Sequence, residues 1–128
     1  MNVYSNNGVK IAYNVHRDQF SLKKREASLN IKPATLQSII ALAKWGSYFE
    51  KYSVYQFDTT LEIVKLGENI ILSLEIKNYS THIIIETDFF GNISSKVDEI
   101  MSETNKNKTF LRSKRENDII QRPAKGDI

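Results

Sequence analysis

Residues 57–79, FDTTLEIVKLGENIILSLEIKNY, read as two β-strands joined by a short turn. Ile70, Leu72, Leu74 and Ile76 alternate with Ile71, Ser73, Glu75 and Lys77, the period of two that a half-buried strand requires. Leu66, Gly67, Glu68 and Asn69 supply the turn. Whether Gly67-Glu68 is its tip or 66–69 is a four-residue loop, the register is the same: Lys65 faces Ile70, Thr60 faces Glu75 and Asp58 faces Lys77. Both loop lengths gather Asp58, Glu75 and Lys77 on one face.

Two carboxylates on neighbouring strands make a hard oxygen site suited to Mg²⁺ or Mn²⁺, with water completing the octahedron. Such an ion lowers the pKa of a bound water and neutralises charge growing on a phosphodiester. Lys77 points the same way as Glu75, two residues earlier, so its ammonium can orient the attacking water or stabilise the transition state. At Asp58 and Glu75-Ile76-Lys77 the chain resembles the PD-(D/E)xK nuclease superfamily, whose site is an acid at the start of one strand and a (D/E)-x-K on the next. LSLEIKNYS at 72–80 is similar to the matching strand of nuclease-related domains and archaeal junction resolvases. The resemblance, over about residues 46–80, implies metal-dependent cleavage of DNA. Asp58, Glu75 and the Ile76 carbonyl would hold the ion, and Lys77 would serve the attacking water. Glu50 matches the glutamate that members often add from a preceding helix. Only 51–56 separate it from Phe57, too few for the strand the superfamily places there. The same Asp, Glu, Lys and Thr side chains also read as the ordinary solvated face of a sheet.

Upstream, Pro33 sits where a first helical turn tolerates proline. Leu36, Ile39, Ile40, Ala43 and Phe49 recur at helical spacing as far as about 48–51. Trp45, Tyr48, Tyr52 and Tyr55 form an aromatic-rich neighbourhood that reads as core packing, with base stacking the alternative. Residues 2–17 suggest a hairpin turning at Ser5-Asn6-Asn7-Gly8, adding an edge to the main sheet, whereas 19–32 are polar and irregular. The strands expected are 53–64, 70–77 and 82–89, with a turn at 78–81. Gly91-Asn92 ends the last, and a short helix from Ser94 or Ser95 to about 103 follows. No internal repeat is visible.

The expectation is an α+β domain over 1–104: an antiparallel meander of three to five strands packed on one long helix, with a short C-terminal helix. A basic, loosely docked or disordered tail occupies 105–128. At 128 residues, 41% apolar and without cysteine, the chain can bury one core without staples, and thiolate chemistry is excluded. Apolar runs are far too short for a membrane span, and the first twenty residues are no signal peptide, so the reading is cytoplasmic. The net charge of +3 is unevenly placed. Residues 1–104 hold 11 Lys/Arg against 12 Asp/Glu, and 105–128 hold 7 against 3. Lys106, Lys108, Arg112, Lys114 and Arg115 are therefore the candidate phosphate contacts.

Three functions fit these features. The first is a metal-dependent nuclease acting on DNA. The second is a non-catalytic protein-binding module of the immunity-protein, antitoxin or phage-encoded inhibitor type. The third is a nucleic-acid-binding module using Trp45 and the tyrosines with the tail. A homodimer is left open.

Overall fold

The computed structural model describes the backbone of residues 1–121 and the side chains of residues 1–105. Among the described residues the order is β1 (Asn2–Asn6), β2 (Val9–Asn14), β3 (Gln19–Lys24), β4 (Ala27–Ile31) and α1 (Pro33–Trp45). There follow β5 (Phe49–Gln56), β6 (Thr59–Leu66), β7 (Asn69–Ile76), β8 (Tyr79–Glu86) and α2 (Thr87–Gln121). The α+β class and the antiparallel meander hold. The single sheet does not: two four-stranded sheets, β1-β2-β3-β4 and β5-β6-β7-β8, are each followed by a helix. The molecule is thus an architectural repeat that no sequence repeat announces. Met1–Val97 forms one compact unit, holding both sheets, α1 and the start of α2; Asp98–Ile128 forms a second, whose described part continues α2.

The N-terminal hairpin is half of its own sheet rather than an edge of another, because residues 19–31 are two strands and not irregular chain. Phe20, Leu22, Leu29 and Ile31 are buried, while Ser21, Lys23, Ser28 and Asn30 alternate with them on the other side. The turns escape a sequence reading because Asp18 (φ 52°) and Arg25 (φ 57°) take the left-handed conformation where glycine or asparagine would give the signal.

Helix α1 begins at Pro33 as expected and buries Leu36, Ile39, Ile40, Leu42 and Ala43, lying against β3 of the first sheet and β6 of the second. It stops at Trp45, short of the expected end, since Gly46 is extended. Gln56, 3% exposed, ties the two halves: its amide donates to the Asn30 carbonyl (2.9 Å) and its oxygen accepts the Lys32 N–H (3.1 Å). Both polar ends of a buried amide are thereby satisfied.

In the second sheet, the turn between β6 and β7 has Gly67-Glu68 at its tip, closed by Leu66 opposite Asn69, and Lys65 faces Ile70 as the hydrophobic pattern predicts. Elsewhere the boundaries move. Phe57 (φ 50°) and Asp58 (φ 61°) form a turn that divides the strand expected at 53–64. Lys77-Asn78, not 78–81, joins β7 to β8, closed by Ile76 opposite Tyr79.

The strand expected to reach Phe89 ends at Glu86, and helix α2 starts at Thr87, runs through Gly91 and absorbs the short helix placed at 94–103. Phe89 and Phe90 are both buried, which adjacent residues of a one-sided strand cannot be but residues of a broad helical stripe with Ile93 and Val97 can. Asp88 in the first turn is favoured by the positive end of the helix dipole. The basic residues Lys106, Lys108, Arg112, Lys114 and Arg115 fall on the backbone of α2, not in a loop, and their side chains lie outside the described residues.

Candidate nucleic-acid interface

The residues of the nuclease resemblance are dispersed in secondary structure. Glu75 stands on the exposed outer face of β7, opposite Ser80, while Asp58 and Lys77 occupy the two turns at one end of the sheet. The β6–β7 ladder ends at Leu61 opposite Leu74, so backbone pairing reaches neither Thr60 with Glu75 nor Asp58 with Lys77. Asp58 is therefore a turn residue rather than the first residue of a strand face. Ile76 is the last residue of β7. Glu50 lies on β5 and not at a helix end. Among the described residues no group of three or more His, Cys, Asp or Glu side chains stands in an arrangement able to hold a metal.

A different set is gathered around β5, the edge strand of the second sheet. Pairing with β6 puts Phe49, Lys51, Ser53 and Tyr55 on the outer face and Glu50, Tyr52, Val54 and Gln56 on the inner one. Trp45, Tyr48, Phe49, Tyr52, Tyr55 and Phe57 are all between 43% and 76% exposed, so this neighbourhood is surface and not the core packing its composition suggests. Single exposed rings are ordinary; here six stand within thirteen residues along and beside one sheet edge. Lysines accompany them. The Lys44 ammonium lies 4.5 Å from the Trp45 ring centroid and that of Lys32 5.4 Å from Phe57, within cation–π range, and Lys51 sits in the row between Phe49 and Tyr55.

On the inner side a groove of about 460 Å³ runs between α1 and β5, lined by Ala41, Leu42, Trp45, Glu50, Tyr52 and Val54 among others. Lys65, 8% exposed, reaches from β6 to the end of α1, where its ammonium donates to the Gly46 carbonyl (2.9 Å) and the Ala43 carbonyl (3.4 Å). A cation on these carbonyls satisfies acceptors that the helix leaves open and complements its dipole. It fixes the corner from which Trp45 projects. Gly46 is required there: a Cβ would lie 2.6 Å from the Leu42 carbonyl oxygen and 2.7 Å from Leu42 Cδ1. Gly46→Ala is expected to cost about 1–3 kcal/mol, measured as a lowered urea midpoint at unchanged slope, since main chain must move to admit the methyl group.

Glu50 accepts the Tyr52 hydroxyl on Oε2 and the Ser47 N–H on Oε1, both at 2.5 Å. The Tyr52 bond first, and then the Ser47 N–H, hold the Glu50 carboxyl below the usual carboxylate range; the same contact pushes the Tyr52 hydroxyl above the usual tyrosine range. A depressed carboxyl contributes stability above its unfolded-state pKa and loses it as pH falls through the folded value. A raised phenol contributes below its unfolded-state pKa and loses it as pH rises through the folded value. The corner is therefore fully tied between these two limits. Absorbance titration of the tyrosines should show the Tyr52 transition move to lower pH in Glu50→Gln; an unchanged profile would contradict the contact.

Comparison of the chain with models of known families, with curated proteins and with solved structures gave no match. The site therefore rests on its own chemistry.

The sequence reading named Trp45, Tyr48, Tyr52 and Tyr55 but missed Phe49 and Phe57 as surface rings. Phe49 continues the helical spacing of Leu36, Ile39, Ile40 and Ala43, which drew the helical reading past Trp45. Gly46, extended at the C-cap of α1, was the available boundary signal. His82, expected at a strand start, lies inside β8 with Nδ1 3.0 Å from Ser73 Oγ and Nε2 3.1 Å from Ser80 Oγ. Both of its ring nitrogens are occupied on the sheet surface.

Proposed function

We propose that this protein is a binding module for single-stranded nucleic acid, engaged through the aromatic edge at β5. The observation that carries the reading is a run of six exposed rings from Trp45 to Phe57 accompanied by Lys44, Lys51 and, against Phe57, Lys32. Unpaired bases present flat faces that stack on such rings irrespective of sequence, while the phosphates between them meet ammonium groups. A duplex hides those faces, so the same edge discriminates against it. Protein partners would use such a patch too, but the interleaved lysines favour a polyanion.

The test is fluorescence anisotropy with a dye-labelled thymidine oligonucleotide, a hairpin duplex of adenine and thymine as competitor, and a salt series. With Lys32, Lys44 and Lys51 each meeting a phosphate, log K should fall against log salt with a slope of about −2, from roughly −0.7 per contact. Equal affinity for duplex and single strand, or no binding at low salt, would end the reading.

The metal-dependent nuclease is the second reading, and one feature favours it: the Phe57-Asp58 and Lys77-Asn78 turns stand at the same end of the sheet as Glu75. Mg²⁺ or Mn²⁺ would be held there by Asp58, Glu75 and the Ile76 carbonyl. Plasmid and branched DNA incubated with either ion should be cut by the wild type and spared by Asp58→Ala and Lys77→Ala. Inert wild-type protein removes this reading without touching the first.

A further inference from the structure

We infer that the groove between α1 and β5 is a base pocket that selects guanine from a single-stranded nucleic acid. The inference rests on the binding reading above and adds to it a sequence preference that stacking alone does not confer. Three features of the groove bear on its occupant. Its volume, about 460 Å³, falls in the range of roughly 300–1,000 Å³ typical of small-ligand sites. Its lining combines two exposed rings, Trp45 and Tyr52, with the apolar Ala41, Leu42 and Val54, a setting for a flat heterocycle. Its charged lining group is the Glu50 carboxylate, whose Oε1 accepts the Ser47 N–H and whose Oε2 accepts the Tyr52 hydroxyl, with the Ser47 hydroxyl also stabilising the charge.

That last arrangement decides among the bases. An ionised carboxylate only accepts, with about four lone-pair sites on its two oxygens; the Ser47 N–H and the Tyr52 hydroxyl hold one on each, and the rotatable Ser47 hydroxyl, which also stabilises the charge, is the group a base donor would displace. Guanine alone presents two adjacent donors on its Watson–Crick edge, the N1–H and the N2 amine, which match a pair of parallel acceptors. Adenine and cytosine set an acceptor beside their amine, and thymine flanks its single N–H with carbonyl oxygens. Each of those would face a carboxylate oxygen with a lone pair. Two charge-assisted bonds in place of one bond and one repulsion favour guanine. Glu50 cannot turn away to suit another base without giving up Ser47 or Tyr52. The outer-face rings Phe49 and Tyr55, with Lys51, would carry the neighbouring nucleotides.

The experiment measures anisotropy of labelled thymidine 12-mers carrying one central guanine, adenine or inosine, with wild type, Glu50→Gln and Ala41→Phe. Inosine lacks the N2 amine, and Ala41→Phe fills the groove from the helix while leaving Glu50 in place. In the wild type the guanine strand should bind at least tenfold tighter than the adenine strand, with inosine between. Glu50→Gln, which offers one acceptor and one donor, should bring the guanine-to-adenine ratio close to one, and Ala41→Phe should do the same. Circular dichroism melts establish that each variant is folded. Guanosine monophosphate, followed by Trp45 fluorescence, separates sources: the strand should bind at least tenfold tighter than the free nucleotide, and equal affinities would overturn the assignment to a strand. If strands bind with no preference for guanine, or with a preference that survives Glu50→Gln, the pocket is wrong and the binding reading stands. If no strand binds at all, both fall.

Discussion

Alanine at both Phe49 and Tyr55 lowers the affinity for a thymidine oligonucleotide by between about 30-fold and about 10⁴-fold, because each base stacked on an aromatic ring contributes about 1–3 kcal/mol. The fold should tolerate the change. The two rings are 59% and 71% exposed on the outer face of an edge strand, where substitutions away from caps and buried contacts typically alter stability by less than about 0.5 kcal/mol. Tyr55→Phe keeps the ring and should keep the affinity, whereas Lys51→Ala should weaken binding modestly and flatten the salt slope by about 0.7. These outcomes separate stacking from charge. An anisotropy titration in which the double variant binds within twofold of the wild type, at an unchanged melting midpoint, would mean that the rings serve another partner.

The second large effect lies in the core. Phe90→Ala is expected to remove about 3–5 kcal/mol of unfolding free energy. Phe90 is fully buried and meets Phe89 edge-on at 5.6 Å between ring centroids; Phe89 in turn lies 5.3 Å from the Tyr4 ring on β1. Removing the ring forfeits its burial and leaves a cavity that a helix anchored on both sides cannot collapse. The anchors are the Lys96 ammonium on the Val3 carbonyl (3.2 Å) and the Lys44 ammonium on Ser94 Oγ (3.4 Å). Against a total of about 5–15 kcal/mol for a domain, such a loss approaches unfolding. Leu66→Ala, at a 45% exposed position, is the matched control and should cost little. Urea unfolding measures both, and a loss under about 1 kcal/mol for Phe90→Ala would place the start of α2 outside the cooperative core.

How much of this was written locally differs from element to element. The second hairpin was legible because Ile70, Leu72 and Leu74 alternate without exception and Gly67 marks a turn that needs positive φ. Strands β3 and β4 were not, because Lys23, Lys24, Arg25 and Glu26 crowd a short hairpin whose turn uses Arg25 rather than glycine. The motif of Asp58, Glu75 and Lys77 depended on a strand running through Asp58, whereas β6 begins only at Thr59, after the Phe57-Asp58 turn. A turn of two non-glycine residues in left-handed backbone is imposed by the pairing on either side of it, not by their own preferences.

By itself, the sequence determined the secondary-structure class, the inner faces of β2, β6 and β7 and the start of α1, since period, proline position and glycine turns act over a few residues. Tertiary structure alone decided that four strands pair on each side of α1, that residues 49–56 leave the helix to become a sheet edge, and that their rings face solvent. Apolar residues carry no label for which neighbour will cover them. A ring is buried only where another element arrives, and among the described residues none covers the outer face of β5.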